Sequence, residues 1–464
     1  MKQRKRILSL LLVLSMMFSL SATAGATEII PAGTETAQET SSVAEQNSLE
    51  ESSVADVSDN AEVSMSDNIQ DTAQILPAGS QTVTADSYQT IVHLDCGRKY
   101  FSVDYIKSML YTMAQNGFDQ LQLAFGNGGL RFILDDMDLK DDNGSLLYTS
   151  DAVKAAIQQG NKNFYDAGDV NELTEADMKA IIQYASKVGI EVVPLLNMPG
   201  HMDGILSSDL FSGLKLFGSE GSLDLNNSNA VSFGKALLKK YVDWFRQNGN
   251  SQYFNFGADE YGQGIRNPYI ESSVAKVTYD QLINYMNDCA EIIEKASMTA
   301  RCFNDFVCYN SRTSCDLYKT VQVCYWSNQW NGSEYNTVTA IKNAGYQLIN
   351  TNQKWYYVPS KSDEYGYDVV KSNFTTFDVT KFQNIQSGWN ATSTTYTEIP
   401  TGTSNIGAMF CVWCDTPSVD VELIKVQELI KAMADANPDY FVPKTIPDVE
   451  DKTVTDSTTG ISVT

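Results

Sequence analysis

Residues 89–125 read QTIVHLDCGRKYFSVDYIKSMLYTMAQNGFDQLQLAF, and this stretch decides the fold class. It contains an apolar strand pattern at 89–95, an amphipathic helix pattern at 102–116 and a second apolar strand pattern at 119–125. In the helix pattern the apolar residues recur every three or four positions, whereas in the strand patterns they alternate or run together. A strand, a helix and another strand in this order predict two parallel strands connected by a helix.

The same alternation continues along the chain. Six more strand patterns follow, at 190–196, 253–257, 299–305, 321–326, 346–350 and 406–413. Further helix patterns lie at 174–188, 229–249, 278–297, 335–344 and 420–436. Eight strands predict an α/β fold of the (β/α)8 TIM-barrel type over residues 88–442, with its active site at the carboxyl ends of the strands. An open doubly wound sheet is the alternative, although no G-x-G-x-x-G motif follows the first strand.

The segments outside the predicted barrel have compositions of their own. Residues 1–26 combine a basic start, an apolar run at 7–20 and an Ala-Gly-Ala cleavage motif, which together predict a signal peptide. Residues 27–87 lack Lys, Arg and aromatic residues and predict a disordered acidic linker. Residues 443–464 resemble a linker that leads to a further, missing module. We expect a secreted or cell-surface bacterial protein with no membrane span after signal cleavage, and with cell-wall association through such modules.

Charge and composition narrow the classes of partner. The formal net charge is -24, which argues against a nucleic-acid partner because phosphate binding needs clustered Lys and Arg. The chain has only two histidines, so we expect no metal site, and we expect no cofactor. Its eight cysteines are interpreted mostly as small buried residues.

Polar and aromatic side chains gather where the predicted strands end. In chain order the strand ends carry Asp95 and Arg98, Asn127 and Arg131, Asn197 and His201, Asp259 and Glu260, Asn304 and Asp305, Trp326, Trp355 with Tyr356 and Tyr357, and Trp413 with Asp415. Carboxylates and amides bind sugar hydroxyls, and indole rings stack on the C–H face of a sugar ring. The strand ends therefore indicate a carbohydrate site.

Asp259 and Glu260 are adjacent carboxylates at the end of the strand pattern YFNFG. Glycoside hydrolysis needs an acid that protonates the leaving oxygen and a second group that supports the oxocarbenium-like centre. Adjacent residues on a strand point in divergent directions, so these two cannot flank one bond as an ordinary carboxylate pair. They can work together if the 2-acetamido group of the sugar is the nucleophile.

Several ordered motifs resemble one known family. They are HLDCGRKYFSVDYIKSMLYTMAQNGFDQLQL (93–123), PLLNMPGHMDGIL (194–206) and FNFGADEY (254–261), which together resemble glycoside hydrolase family 20 over residues 89–442. The variants NGGLRFILDDM (127–137) and NTNQKWYY (350–357) look most like its streptococcal surface exo-β-N-acetylglucosaminidase branch. The resemblance implies a (β/α)8 catalytic domain, no metal, and retaining, substrate-assisted cleavage of terminal β-linked N-acetylglucosamine or N-acetylgalactosamine.

The resemblance also implies roles for the catalytic group. Asp259 would accept a hydrogen bond from the acetamido N–H, and Glu260 would act as general acid and then as general base. Tyr356 would donate its hydroxyl to the acetamido oxygen, with Tyr357 as the alternative. Arg98 would bind the 3- and 4-hydroxyls of the terminal sugar.

Further residues are implied in substrate binding. Three tryptophans would wall the pocket: Trp326, Trp355 and Trp413. Asp415 stands where the family places a carboxylate that binds the 4- and 6-hydroxyls, and it is shorter than the glutamate common there. His201 would support the catalytic pair, and Asn127 stands where many relatives have aspartate.

Two other functions stay open. A lacto-N-biosidase of the same family would release a disaccharide and would need room for a second sugar, which depends on the loops near 135–172 and 360–400. A catalytically silent glycan-binding adhesin is the second alternative, and a lost acid would indicate it. The motifs fix neither the preference for N-acetylglucosamine over N-acetylgalactosamine nor the linkage.

Overall fold

The computed structural model describes residues 88–165, 171–262, 277–309, 315–326, 337–383 and 396–446, and the backbone of 454–455 and 462–463. The signal peptide predicted at 1–26 and the acidic linker at 27–87 lie outside these residues and stay predictions. Over the described ranges, no helix is both long and apolar enough to cross a membrane.

Eight parallel strands close into a barrel. They are β1 (Gln89–Leu94), β2 (Gln120–Asn127), β3 (Glu191–Leu196), β4 (Tyr253–Asn255), β5 (Thr299–Phe303), β6 (Gln322–Tyr325), β7 (Leu348–Asn350) and β8 (Asn405–Val412). Each strand pairs with its neighbours in chain order, and β1 also pairs with β8. This closure confirms the (β/α)8 barrel over the open doubly wound sheet, because an open sheet leaves its two outer strands unpaired.

Helices lie between the strands. They are α1 (Val103–Gln115), α2 (Ser150–Tyr165), α3 (Glu175–Lys187), α4 (Asp203–Leu206), α5 (Ser228–Asn248), α6 (Tyr279–Lys295), α7 (Val338–Asn343), α8 (Tyr367–Thr376) and α9 (Leu423–Ala436). The six predicted helices correspond to α1, α3, α5, α6, α7 and α9. The sequence patterns missed α2 and α8, which lie within the two loop regions at 135–172 and 360–400, and the single-turn α4.

Local sequence signals explain where these helices begin and end. The Ser102 hydroxyl caps α1 by accepting a hydrogen bond from Tyr105 N, and α3 begins with a reciprocal capping box between Thr174 and Asp177. After α1 the chain turns at Gly117, which has a φ of 76° and approaches the backbone of Val442 so closely that a Cβ would lie 2.4 Å away. Only glycine fits this contact.

A buried arginine fills the amino-terminal end of the barrel interior. Arg301 on β5 donates hydrogen bonds to the side chains of Gln89, Gln120 and Gln322, which lie on β1, β2 and β6. Its guanidinium also lies 3.8 Å from the ring centroid of Tyr253. These contacts cross the barrel, so they close its lower end and leave the carboxyl end of the strands for chemistry.

Near its end the chain forms a further short pairing. Val454–Thr455 pairs antiparallel with Ser462–Val463. This pairing falls within the segment 443–464 that the sequence predicts as a linker.

Candidate active site

A tight turn after β4 presents the acidic pair. Ala258 and Glu260 have left-handed φ angles of 62° and 49°, which non-glycine residues rarely adopt. Two amide side chains hold this turn: Asn255 Oδ1 accepts from Gly257 N over 2.8 Å, and Asn197 Oδ1 accepts from Ala258 N over 3.1 Å. Backbone held in sparsely populated conformations by its surroundings is characteristic of functional sites.

Gly257 allows the turn to approach β3. Its φ is 75°, and a Cβ at this position would lie 2.0 Å from Asn197 Oδ1. Any other residue would displace the amide that holds the turn. The glycine in FGADE is therefore required by packing as well as by backbone conformation.

The two carboxylates converge on one histidine. His201 Nε2 lies 3.2 Å from Asp259 Oδ2 and 3.3 Å from Glu260 Oε2. The sequence predicted divergent side chains because it placed the pair on a strand. The left-handed Glu260 breaks the strand alternation, so both carboxyl groups reach the same imidazole.

Amide side chains extend the cluster behind Asp259. Asn197 Nδ2 donates to Asp259 Oδ1 over 2.7 Å and to Asn127 Oδ1 over 3.0 Å. Asn127 therefore reaches the acidic pair only through Asn197 in the described contacts. Its Nδ2 is buried and has no hydrogen-bond partner among the residues that the structure describes.

Arg98 is fixed by a buried carboxylate. Asp95, whose side chain is fully buried, accepts from Arg98 Nη1 over 3.1 Å and also from the backbone N–H of Cys414 over 3.0 Å. The other terminal nitrogen, Arg98 Nη2, lies 3.3 Å from His201 Nδ1. Asp415 approaches Nη1 at 3.5 Å, with its side chain half exposed. The guanidinium therefore lies beside the histidine and binds the two aspartates at the barrel mouth.

Three aromatic rings form a wall beside the carboxylates. The ring of Tyr356 stacks on Trp326 with centroids 6.1 Å apart and meets the edge of Trp413 at 5.6 Å. Trp413 also lies 5.9 Å from the guanidinium carbon of Arg98. Such a wall offers apolar faces to one side of a sugar ring.

A third carboxylate, Asp305, contacts both the acidic pair and the aromatic wall. Asp305 is fully buried, and its Oδ1 accepts from the backbone N–H of Glu260 over 3.1 Å. Its Oδ2 accepts from Trp326 Nε1 over 2.7 Å. Asp305 thus connects the acidic pair to the aromatic wall. The sequence placed it at a strand end but gave it no role.

The ionisable groups of the site shift one another's pKa values. Burial would raise the pKa of Asp259, but the charge of His201 and the hydrogen bonds from His201 and Asn197 outweigh it and lower the pKa below its usual value. Burial and the charge of Asp259 raise the pKa of Asp305 well above its usual range. Burial lowers the pKa of His201, but the attraction of Asp259 and Glu260 reverses this and leaves it well above its usual value. The site therefore keeps Asp259 ionised beside a cationic imidazole.

Two predicted site residues lie outside this cluster. Trp355 is fully buried in the main hydrophobic core, with its ring 6.3 Å from that of Phe374. Tyr357 packs towards Tyr367 on α8. Tyr356–Tyr357 is a two-residue extended segment whose side chains face opposite sides, so Tyr356 reaches the site while Tyr357 faces α8. Trp355 ends the preceding 3-10 turn, Gln353–Trp355, and lies in the core. The prediction that Trp355 walls the pocket is therefore not supported by its position.

This arrangement brings a pair of carboxylates, a guanidinium and three aromatic rings together at the barrel mouth, and glycoside hydrolysis commonly uses such a pair of carboxyl groups. Among the described residues, no group of three or more His, Cys, Asp or Glu is arranged to hold a metal ion.

Sequence comparison relates the chain to one enzyme family. The family model for the glycosyl hydrolase family 20 catalytic domain matches residues 90–423. A lacto-N-biosidase of Bifidobacterium bifidum is 27% identical over 198 residues, which are 40% of this chain and 17% of that protein. The chain thus spans a minor part of the length of this relative.

Solved structures show the same fold. A pneumococcal exo-β-D-N-acetylglucosaminidase catalytic module is 30% identical with a TM-score of 0.67, and the match covers 77% of this chain and 85% of that one. Dispersin B is 19% identical with a TM-score of 0.54, and the match covers 75% of this chain and 98% of that one. The second likeness concerns the fold alone.

Proposed function

The chain belongs to glycosyl hydrolase family 20, and from this premise we propose that it is a β-N-acetylhexosaminidase that removes terminal β-linked N-acetylglucosamine from glycans. The reaction proceeds with retention and uses the 2-acetamido group of the substrate as nucleophile. The observation that carries the proposal is the convergence of Asp259 and Glu260 on His201 Nε2, at 3.2 and 3.3 Å. One imidazole therefore orients both carboxylates towards one reacting sugar.

Asp259 orients the acetamido group. Its lowered pKa keeps it ionised, so it can accept a hydrogen bond from the acetamido N–H. As the acetamido oxygen attacks the anomeric carbon, positive charge develops on the acetamido group and an oxazolinium ring forms. A fixed carboxylate beside this charge stabilises the transition state more than the ground state.

Glu260 transfers the proton. In the first step its carboxylic acid protonates the leaving glycosidic oxygen while the C1–O bond breaks. In the second step its carboxylate takes a proton from water, and the water oxygen bonds to C1 as the oxazoline ring opens. Two inversions at C1 give net retention, and Glu260 ends the cycle protonated.

The remaining cluster holds the sugar. Arg98, fixed by Asp95, presents guanidinium donors to ring hydroxyls, and half-exposed Asp415 offers an acceptor beside it. The wall of Trp326, Tyr356 and Trp413 covers the acetamido methyl group and a ring face. The Tyr356 hydroxyl, whose pKa burial raises, stays protonated and can donate to the acetamido oxygen.

A pair of matched substrates tests the proposal. Purified protein should release 4-nitrophenol from 4-nitrophenyl N-acetyl-β-glucosaminide but not from 4-nitrophenyl β-glucoside, which lacks the acetamido nucleophile. A thiazoline analogue of the oxazoline should inhibit strongly because it mimics the intermediate. Equal turnover of both glycosides, or a trapped ester on the protein, would show a protein nucleophile instead. Sugar binding without turnover of either glycoside would identify an adhesin.

A second candidate is a lacto-N-biosidase, favoured by the similarity to the Bifidobacterium bifidum enzyme. Such an enzyme would release an intact disaccharide. The two activities are distinguished by the product of an aryl glycoside that carries galactose β1,3-linked to N-acetylglucosamine. Free disaccharide in the first seconds of reaction would establish the second candidate, and inertness of this substrate would support exo-hydrolysis of single N-acetylglucosamine units.

A further inference from the structure

A disulfide lies in the connection that follows β5. It joins Cys308 and Cys315, whose Cα atoms are 4.7 Å apart, within the range of about 4.4–6.8 Å that disulfides span. The other six cysteines are free and buried. Cys308 follows closely after Asp305, the buried carboxylate that accepts hydrogen bonds from Glu260 N and Trp326 Nε1. The disulfide is therefore close along the chain to a residue of the active site.

The segment between Asp305 and the disulfide is a tight turn. Val307 N donates to Asn304 O over 3.0 Å, and Cys308 has a left-handed φ of 54°, which non-glycine residues rarely adopt. Asn304 Oδ1 also accepts from Trp326 N over 2.8 Å. A turn in such a conformation persists only when its surroundings hold it. The disulfide is a covalent part of those surroundings.

The other half of the disulfide is anchored to a barrel helix. Asn287 on α6 donates from Nδ2 to Asp316 O over 2.9 Å, and its Oδ1 accepts from Tyr318 N over 2.9 Å. Cys315 directly precedes these residues, so it belongs to a segment that is fixed to α6. The disulfide connects Cys308 to this fixed segment.

We propose that the disulfide is a positioning element of the active site: it holds Asp305 in contact with Glu260 and Trp326, and its reduction lowers activity reversibly. The inference rests on the proposed function and adds to it a dependence of activity on thiol–disulfide exchange. Neither cysteine touches the substrate, so both act through Asp305.

A dithiol reductant balances the reaction. Its thiolate bonds to the sulfur of Cys315, which is partly exposed, whereas Cys308 is only 2% exposed. The S–S bond breaks, and Cys308 leaves as a thiolate that takes up a proton. The second thiol of the reagent then displaces Cys315 from the mixed disulfide. Two electrons and two protons pass to the cysteines, and the dithiol becomes a cyclic disulfide.

The effect of reduction should be local. The two cysteines are 7 residues apart in the sequence, and a disulfide that closes a short loop restricts the unfolded chain less than one that closes a long loop. The Tyr279 hydroxyl still donates to Phe306 O over 3.0 Å, so the turn keeps one contact with α6. Loss of the disulfide should therefore affect the position of Asp305 more than the stability of the barrel. A misplacement of about 1 Å is enough to lower turnover.

Reduction of the wild type tests the disulfide without a substitution. The chain has eight cysteines, of which six are free, so titration of the denatured protein should find six thiols before treatment and eight after it. We expect dithiothreitol to lower kcat on 4-nitrophenyl N-acetyl-β-glucosaminide by about threefold to tenfold, with KM within about twofold of its starting value. Oxidised glutathione should restore kcat. Absence of the disulfide before treatment, or an unchanged kcat after complete reduction, would overturn the proposal.

Two variants separate the disulfide from other effects of the reagent. The double variant Cys308→Ser, Cys315→Ser should have the low kcat of the reduced wild type and should not respond further to dithiothreitol. The control Cys289→Ser removes a buried free thiol from α6 and should respond to reduction as the wild type does. A double variant with full kcat would contradict the positioning role. If dithiothreitol still lowers the kcat of the double variant, the reagent acts elsewhere and the proposal is wrong.

The variant Asp305→Asn tests whether the disulfide acts through that carboxylate. If it does, the losses from reduction and from the substitution do not add, and reduction should change the kcat of this variant by less than about twofold. The acidic limb of the wild-type pH profile should also move to lower pH on reduction. Burial and the charges of Asp259 and Glu260 raise the pKa of Asp305, and a displaced Asp305 that is less buried loses part of this increase.

Additive losses with an unchanged acidic limb would show that the disulfide only stabilises the fold, and would overturn the proposal. A wild type that is inert in both redox states would refute the proposed function itself. The thiol counts would still report the disulfide in that case, so the two failures are distinguishable.

Discussion

The carboxylate of Asp305 accepts a hydrogen bond from the backbone N–H of Glu260 over 3.1 Å, while its other oxygen accepts from Trp326 Nε1 over 2.7 Å. Both partners are donors, and the ionised carboxylate, which can only accept, satisfies them together. One side chain on the connection after β5 therefore sets the position of the general acid and of one wall of the pocket.

We expect Asp305→Asn to lower kcat/KM by about 10- to 100-fold, because an amide has one acceptor oxygen and would face one donor with its own NH2 group. The pH profile should also change. Burial and Asp259 raise the pKa of Asp305, so in the wild type this carboxyl takes up a proton as the pH falls, and activity is lost through that raised pKa. In Asp305→Asn the acidic limb should move to lower pH. An unchanged acidic limb would assign it to another group.

The turn that carries the acidic pair is held by the side chain of Asn255 inside the barrel. Asn255 accepts from Gly257 N over 2.8 Å and donates to Gln122 Oε1 over 2.9 Å. Asn255→Leu removes both bonds, and we expect kcat to fall about tenfold or more while KM changes little. Asn437→Leu is a matched control, since this buried amide also makes two hydrogen bonds, but at the end of α9. Both variants should lose similar thermal stability. Equal kcat values for the two variants would show that the hydrogen bonds of Asn255 contribute to stability alone.

The barrel was predictable from sequence because its signals are local. Strand and helix periodicity, the cap at Ser102 and the capping box at Thr174 each lie within a few residues of the element they define. The structure of the polar loop regions could not be predicted in the same way. The helices α2 and α8 were missed because their sequences contain few core-facing apolar residues.

The site was only partly predictable because its contacts join distant residues. The motifs indicated the acidic pair and Arg98, but the turn at Gly257 and the convergence on His201 depend on packing against β3. The run of three aromatic residues at 355–357 could not reveal which ring faces inward. That choice follows from the pairing of Tyr356 with Cys411 on β8, which no local pattern encodes.

Tyr356 and Tyr357 form a natural pair of test and control. Tyr356 lies in the aromatic wall, and Tyr357 packs near Tyr367. Tyr356→Phe should lower kcat by about tenfold, because it removes only the hydroxyl that orients the acetamido oxygen. Tyr357→Phe should leave kcat within about twofold. Initial rates on 4-nitrophenyl N-acetyl-β-glucosaminide give both values, and a reversed order would place Tyr357 in the pocket.

His93 should make stability depend on pH. It is fully buried on β1, where burial lowers its pKa from 6.5 to about 4. The unfolded chain therefore binds a proton between pH 6.5 and 4 that the folded chain does not, so this contribution to stability is present above pH 6.5 and is lost as the pH falls to 4. A shift of this size corresponds to about 3 kcal/mol.

Denaturant unfolding of wild type and His93→Gln at pH 7 and pH 4 measures this contribution. The glutamine can still bond Gln122, which now lies 2.9 Å from His93 Nδ1. We expect the variant to lose about 3 kcal/mol less than the wild type between the two pH values. The comparison cancels the carboxylates that titrate in both proteins. Identical losses would mean that His93 has the same pKa in the folded and in the unfolded chain.

The loss of activity on replacing Glu260 should be larger for substrates whose leaving group must be protonated. Glu260→Gln keeps the shape of the side chain but cannot protonate the leaving oxygen, so turnover of a disaccharide should fall by about 10²- to 10⁴-fold. Fluoride leaves without such help, and the first step with N-acetyl-β-glucosaminyl fluoride should be impaired far less. Single-turnover release of fluoride isolates that step, and binding of the thiazoline should stay near the wild-type value. If both substrates lose activity equally, Glu260 positions the sugar instead of transferring the proton.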